Sequence, residues 1–133
     1  MAREWTPSLA HLQVFLTLRD AQRRVAVVQL ESKPGEWMMP SENCFDGTDP
    51  SQLVEDIVPR WFESALPKPR LAQAQNYPPE DDDHWMVVLV YEVEAPKKVV
   101  PTKDTTALQF FPVGKAPGTM FKDHATVWAK LPP

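Results

Sequence analysis

The run Trp85-Met-Val-Val-Leu-Val-Tyr-Glu-Val93 limits what this chain can become more than any other stretch. Apart from Glu92 it is apolar throughout and rich in β-branched residues, so it has no polar side to turn toward water. It predicts a strand buried on both faces, in the middle of a sheet that needs a cover on each side. The remaining elements are then read as what surrounds that strand.

His11 to Leu18 has apolar residues at 12, 14, 16 and 18, with Phe15 on the opposite face, and predicts a strand. The polar turn at 19–24 leads into a second β-rich run, Val25 to Leu30, and the two are expected to pair antiparallel. Pro34-Gly35 reads as a turn, and Trp37-Met38-Met39 as a short edge piece stopped by Pro40. A loop is expected over 41–49. Asp49 is the natural N-cap of a helix with Pro50 in its first turn, and Leu53, Val54, Ile57, Val58, Trp61, Phe62 and Ala65 recur at helical spacing over about 50–65. Pro59 lies inside that span and predicts a kink or a split near Val58. Further strands are expected at 70–77 and 105–111, and a terminal helix carries Phe121, His124, Ala125 and Trp128. The tail Leu131-Pro-Pro is expected to fray. The order suits a mixed sheet covered by a helix on each face, an α/β/α sandwich of the α+β class.

At 133 residues the chain is about one domain in length, with its core over roughly 10–131. A net charge of −4 argues against a nucleic-acid partner, because such binding relies on a continuous basic patch that neutralises phosphates. No apolar stretch is long enough to span a membrane, and the single cysteine, Cys44, leaves no internal disulfide, so a cytoplasmic protein is expected. Fifteen prolines against four glycines read either as stiffening of the loops or as a bias of composition. The acidic loop 78–83 reads as a solvated connection, with a metal-side or lid loop as the functional alternative.

Several of these pieces resemble the Nudix (MutT-like) family over nearly the whole chain. Gly35-Glu-Trp-Met-Met-Pro40 is similar to the family's Gly-x-Trp-x-x-Pro entry, and Asp46-Gly47-Thr48 falls where its Gly-Glu loop usually follows. Ala107-Leu-Gln-Phe-Phe-Pro112 resembles the late strand, and Met120-Phe-Lys-Asp-His124 the Phe-x-Asp-His that opens the last helix. The family's signature box ends in Arg-Glu-aliphatic-x-Glu-Glu-x-Gly, whose glutamates hold divalent metal ions on one helix face. Aligned on Pro40, this chain places Glu42 at the first Gly of the box, Thr48 at the first Glu, Asp56 at Arg, and Arg60 and Trp61 at the Glu pair. Slid by one residue, Glu55-Asp56-Ile57 matches Arg-Glu-aliphatic, but Pro59 and Arg60 cover the Glu pair.

The resemblance therefore implies a Nudix fold with a degenerate box and an impaired or lost standard metal site, serving as a nucleotide-binding or scaffold domain. Its alternative is a hydrolase of nucleoside diphosphate-linked substrates using relocated carboxylates and Mg2+. Glu55 and Asp56 are then the catalytic candidates, and Glu55, Asp56 and Glu63 the metal ligands. Asp56 and Glu63 are spaced to share a helical face. Arg60 could grip an anion bidentately or simply pair with Asp56 one turn earlier. Trp37, Phe45, Trp61, Tyr77 and Trp85 are candidate stacking surfaces for a nucleotide-like ligand, or parts of the core and interface. The adjacent Trp61 and Phe62 cannot both face one core on a helix, so one is expected over a pocket or a partner subunit, consistent with a homodimer. His124 is expected to be a satisfied structural histidine, and Cys44 a small loop or core residue.

Overall fold

The computed structural model describes residues 10–79 and 84–133; the acidic run at 80–83 lies outside the described residues. The strands are β1 (Ala10–Arg19), β2 (Val25–Leu30), β3 (Lys33–Met38), β4 (Ser41–Cys44), β5 (Arg70–Tyr77), β6 (Trp85–Glu94) and β7 (Thr105–Phe111). Two helices, α1 (Pro50–Trp61) and α2 (His124–Ala129), complete the element order.

All seven strands join one mixed sheet. β1 and β6 run parallel in continuous register from Ala10↔Trp85 to Arg19↔Glu94. β5 lies antiparallel on the far side of β6. The other side of β1 is divided: β4 pairs with Leu12 to Phe15, the Leu16 N–H reaches the Pro40 carbonyl, and β2 meets the strand at Arg19↔Val25. β2 then carries β7 on one side and β3 on the other. The expected β1–β2 pair thus exists at its hairpin end, while the rest of β1 serves other strands.

Alternation along the strands builds two cores. Val14, Leu16 and Leu18 of β1 and Tyr91 and Val93 of β6 pack with Val54 and Ile57 of α1 and with Phe62. Phe15 of β1, Val88 and Val90 of β6, and Val25 and Val27 of β2 pack with Val127, Trp128 and Leu131 at α2. The apolar run of β6 is thus consumed on both sides, one helix to each face, as its sequence predicts.

Four local expectations are corrected. The turn falls at Glu31-Ser32 rather than Pro34-Gly35, because Leu30 already pairs with Lys33. β3 runs through Pro34 and Gly35, which an edge strand tolerates, with Gly35 at φ 81°. The loop expected at 41–49 begins with β4, whose polar side chains gave no strand signal and whose order comes from backbone pairing with β1. α1 neither splits at Pro59 nor reaches residue 65; it continues to Trp61 and closes when the N–H of extended Phe62 donates to the Val58 carbonyl at 2.9 Å. Its start is as predicted, with the Asp49 carboxylate accepting from the Ser51 N–H at 2.9 Å.

The C-terminal tail does not fray among the described contacts. Leu131 is buried, and the Arg19 guanidinium donates to the Pro132 carbonyl at 2.7 Å. Arg19 also lies 3.1 Å from Glu92, a buried carboxylate met by Arg23 at 2.7 Å and Arg70 at 2.5 Å. Glu92 is the one polar residue of the apolar run, and a charge buried there is tolerable because guanidinium groups surround it.

Candidate functional site

The residues singled out in the sequence divide between two places. On α1, Glu55 is half-buried and Asp56 exposed, and adjacent helix positions point about 100° apart. Asp56 accepts from the Gln52 amide at 2.9 Å and is not the partner of Arg60. Arg60 reaches instead across to β4, where it lies 3.3 Å from Glu42. Glu63 is off the helix altogether, in the segment where its N–H bonds the Val100 carbonyl, so the seven-residue spacing from Asp56 does not align the two carboxylates. Among the described residues no group of three or more His, Cys, Asp or Glu is placed to hold a metal ion. The three candidate carboxylates thus do not assemble the several-oxygen arrangement a hard cation requires.

The aromatic candidates are not brought together. Trp37 lies against the α2-side core, edge-to-face with Phe111 at 5.6 Å. Trp61 packs against the α1-side core together with Phe62, which corrects the expectation that one of them must face away: the helix ends between them, so the two side chains are no longer held at helical angles. Phe45, in the loop after β4, is 71% exposed.

A cleft opens on the α2 face of the sheet, where the start of β1, β4, the end of β5, the start of β6 and the segment before α2 converge. Its larger arm, about 340 Å³, is lined by His11, Gln13, Tyr77, His84, Lys122 and Asp123. A smaller arm of about 200 Å³ continues past Gln13, Lys122 and Asp123 to Ser41, Asn43 and His124. His11 and Gln13 project here because they share the strand parity of Phe15, opposite to that of Leu12, Val14 and Leu16. Across the larger arm His84 Nδ1 lies 3.1 Å from His11 Nε2. The Gln13 amide donates to the Asn43 side-chain oxygen at 2.9 Å. Asp123 adopts φ 68°, a left-handed conformation that Asp tolerates better than most residues, and this starts α2 at His124 rather than earlier.

His124 closes the floor of the smaller arm. It is 4% exposed, lies edge-on to Phe15 and Phe121, and accepts the Met39 N–H on Nδ1 at 3.1 Å. Desolvation drives its pKa down to about 4, with Asp123 opposing, so the ring is neutral at physiological pH. It is the satisfied structural histidine expected from its place on the apolar side of the helix. Cys44 is half-buried at the end of β4, its thiol donating to the Thr48 carbonyl at 3.4 Å. Partial burial, and then the Asp49 charge, raise its pKa, which does not suit a nucleophile.

Tyr77, a stacking candidate from sequence, does line the larger arm, whereas His11, Gln13 and Lys122 were not named as site residues from sequence. The usable signal was the polar pair at 11 and 13 on the strand face that otherwise begins the buried side with Phe15.

The seven-stranded mixed sheet between two helices is the Nudix, MutT-like fold. Over 95% of both chains the structure resembles a MutT protein from Methanosarcina mazei Go1, with TM-score 0.65 at 12% identity. A MutT NUDIX hydrolase from Burkholderia pseudomallei gives TM-score 0.65 at 14% identity, covering 94% of this chain and all of that one (100%). The NUDIX domain of Shewanella oneidensis NrtR, solved with ADP ribose, gives TM-score 0.59 at 18% identity over 94% of this chain and 86% of that one. At the level of sequence, no protein-family model and no curated protein matches the chain. The likeness is one of fold.

Proposed function

We propose that this protein is a Nudix-fold module that binds a nucleotide-like small molecule in the α2-face cleft, with the standard metal-assisted hydrolysis of the resembled family impaired or lost. The observation that carries the reading is Arg60. At a helix position where the resemblance calls for a metal-binding glutamate, this chain has a guanidinium held 3.3 Å from the Glu42 carboxylate on the α1 side of β4, the strand whose other side edges the cleft's smaller arm. A cation in that position repels a metal and attracts a phosphate.

The cleft supports the same reading. Its larger arm has the volume of a small-molecule site and mixes amide, imidazole, ammonium and carboxylate groups with apolar walls. A protein of this fold is seen with ADP ribose, which makes that compound the first probe. The net charge of −4 favours a small-molecule partner over a nucleic acid, and no helix among the described residues is long and apolar enough to cross a membrane.

Calorimetry with ADP-ribose is expected to show binding that survives a chelator and weakens in Arg60→Ala. Magnesium-dependent turnover of ADP-ribose, abolished by Glu55→Ala or Asp56→Ala, would establish the relocated-site hydrolase instead and overturn this reading.

A further inference from the structure

Ser41 and His124 sit side by side at the end of the smaller arm, with Ser41 Oγ 3.4 Å from His124 Nε2. A serine beside a histidine suggests a nucleophile and its base, but the backbone excludes that arrangement. The Met39 N–H points at His124 Nδ1 at 3.1 Å, and an N–H can be accepted only by a ring nitrogen that carries no proton. The neutral ring must therefore carry its single proton on Nε2, the nitrogen that faces Ser41.

From this geometry we infer that Ser41 is a fixed hydrogen-bond donor to the cleft's ligand, and that His124 is the positioning residue that makes it one. With Nε2–H directed at Oγ, the hydroxyl's acceptor side is taken by the ring, and its own proton turns away from the ring toward the cleft. No other hydrogen bond of Ser41 Oγ is made among the described residues. The ring cannot rotate to reverse this polarity: Phe15 and Phe121 stand edge-on to it at 4.8 and 5.3 Å between ring centres, and the Met39 amide would lose its partner. The ligand atom taken by Ser41 is accordingly an acceptor, such as a carbonyl oxygen, an unprotonated ring nitrogen or a phosphoryl oxygen. A donor group placed there meets another donor and is rejected, because a polar group left unpaired in a desolvated site loses far more than a hydrogen bond contributes.

This inference rests on the cleft being the ligand site, and its test separates the two claims. Nitrogen-15 spectra correlating the ring protons of His124 with its two nitrogens, recorded on the free protein at pH 7, are expected to show a protonated Nε2 and an unprotonated Nδ1. The opposite tautomer or an imidazolium would overturn the inference whatever binds. With ADP-ribose as the probe, Ser41→Ala is expected to weaken binding about fivefold, and Ser41→Thr, which keeps the hydroxyl, to restore most of it. Equal affinity in wild type and Ser41→Ala would overturn the role of Ser41 as donor. A wild-type protein that binds no ADP-ribose counts against the function proposed above, and the tautomer then decides the polarity of the Ser41 hydroxyl on its own.

Discussion

Acid should destabilise this protein through His124 in a way that one substitution can isolate. In the unfolded chain the imidazole takes up a proton near pH 6.5, whereas in the native protein it does so only near about 4. Between those values the unfolded state binds more protons, so stability falls as pH drops through the window and levels off for this group below it. The gap, at about 1.4 kcal/mol per pH unit, corresponds to a loss of about 3 kcal/mol, a large share of the 5–15 kcal/mol typical of a domain. The cause is burial: the ring is 4% exposed between two aromatic side chains, and protonating Nδ1 would set a positive N–H against the Met39 N–H. His124→Asn removes the titration and leaves a side-chain oxygen able to accept from Met39. Urea unfolding followed by tryptophan fluorescence from pH 7 to pH 4 is expected to show a steeper loss in wild type than in the variant, since carboxylate titrations are common to both. Superimposable pH profiles of the two proteins would refute the reasoning.

Other substitutions test the packing and the charge cluster. Ile57→Ala, at a fully buried position of α1, should cost about 2–5 kcal/mol by urea unfolding; a loss below 1 would mean α1 is not seated on the sheet as described. Glu92→Ala leaves the buried Arg19 without its carboxylate and should cost about 3–5 kcal/mol, with calorimetric melting as the check. Arg60→Ala, by contrast, breaks an exposed pair and should change stability by less than about 1 kcal/mol, so any loss of ADP-ribose binding in that variant is a ligand effect. The Cys44 thiol should be alkylated by iodoacetamide at pH 7 more slowly than in the urea-unfolded chain, because its pKa is raised and its Sγ is packed on the Thr48 carbonyl.

Elements that express themselves through side-chain pattern were legible in the sequence. β6 announced itself as an apolar run, β1 by alternation, and α1 by Asp49, Pro50 and the spacing of Val54 and Ile57. Features set by the backbone were not. β4 is polar and is a strand only because β1 offers it an open edge over Leu12 to Phe15. The end of α1 was misjudged because Phe62 is held by the core and not by helical phase. The cleft escaped for a related reason: Gln13, Tyr77 and Lys122 come from distant segments, and no local motif joins residues that meet only when β1, β5 and the α2 approach are assembled. Arg60 was visible in the sequence as a candidate anion ligand, but its ion pair with Glu42 required the fold.

The parallel pairing of β1 with β6 sets the order in which the chain can be completed. Ala10 waits for Trp85, and Arg19 for Glu94, partners 75 positions away along the chain. During synthesis, β1 emerges with Val14 to Leu18 already apolar and can be sheltered at first only by the β2 hairpin and β4, while the partner that fills its whole length is made last but one among the strands. Closing so long a loop before the sheet's middle exists makes folding intrinsically slow and leaves an adhesive strand on view in the meantime. A ribosome-bound fragment ending before residue 85 should therefore depend on a chaperone to remain soluble, and release from that dependence should coincide with the appearance of β6.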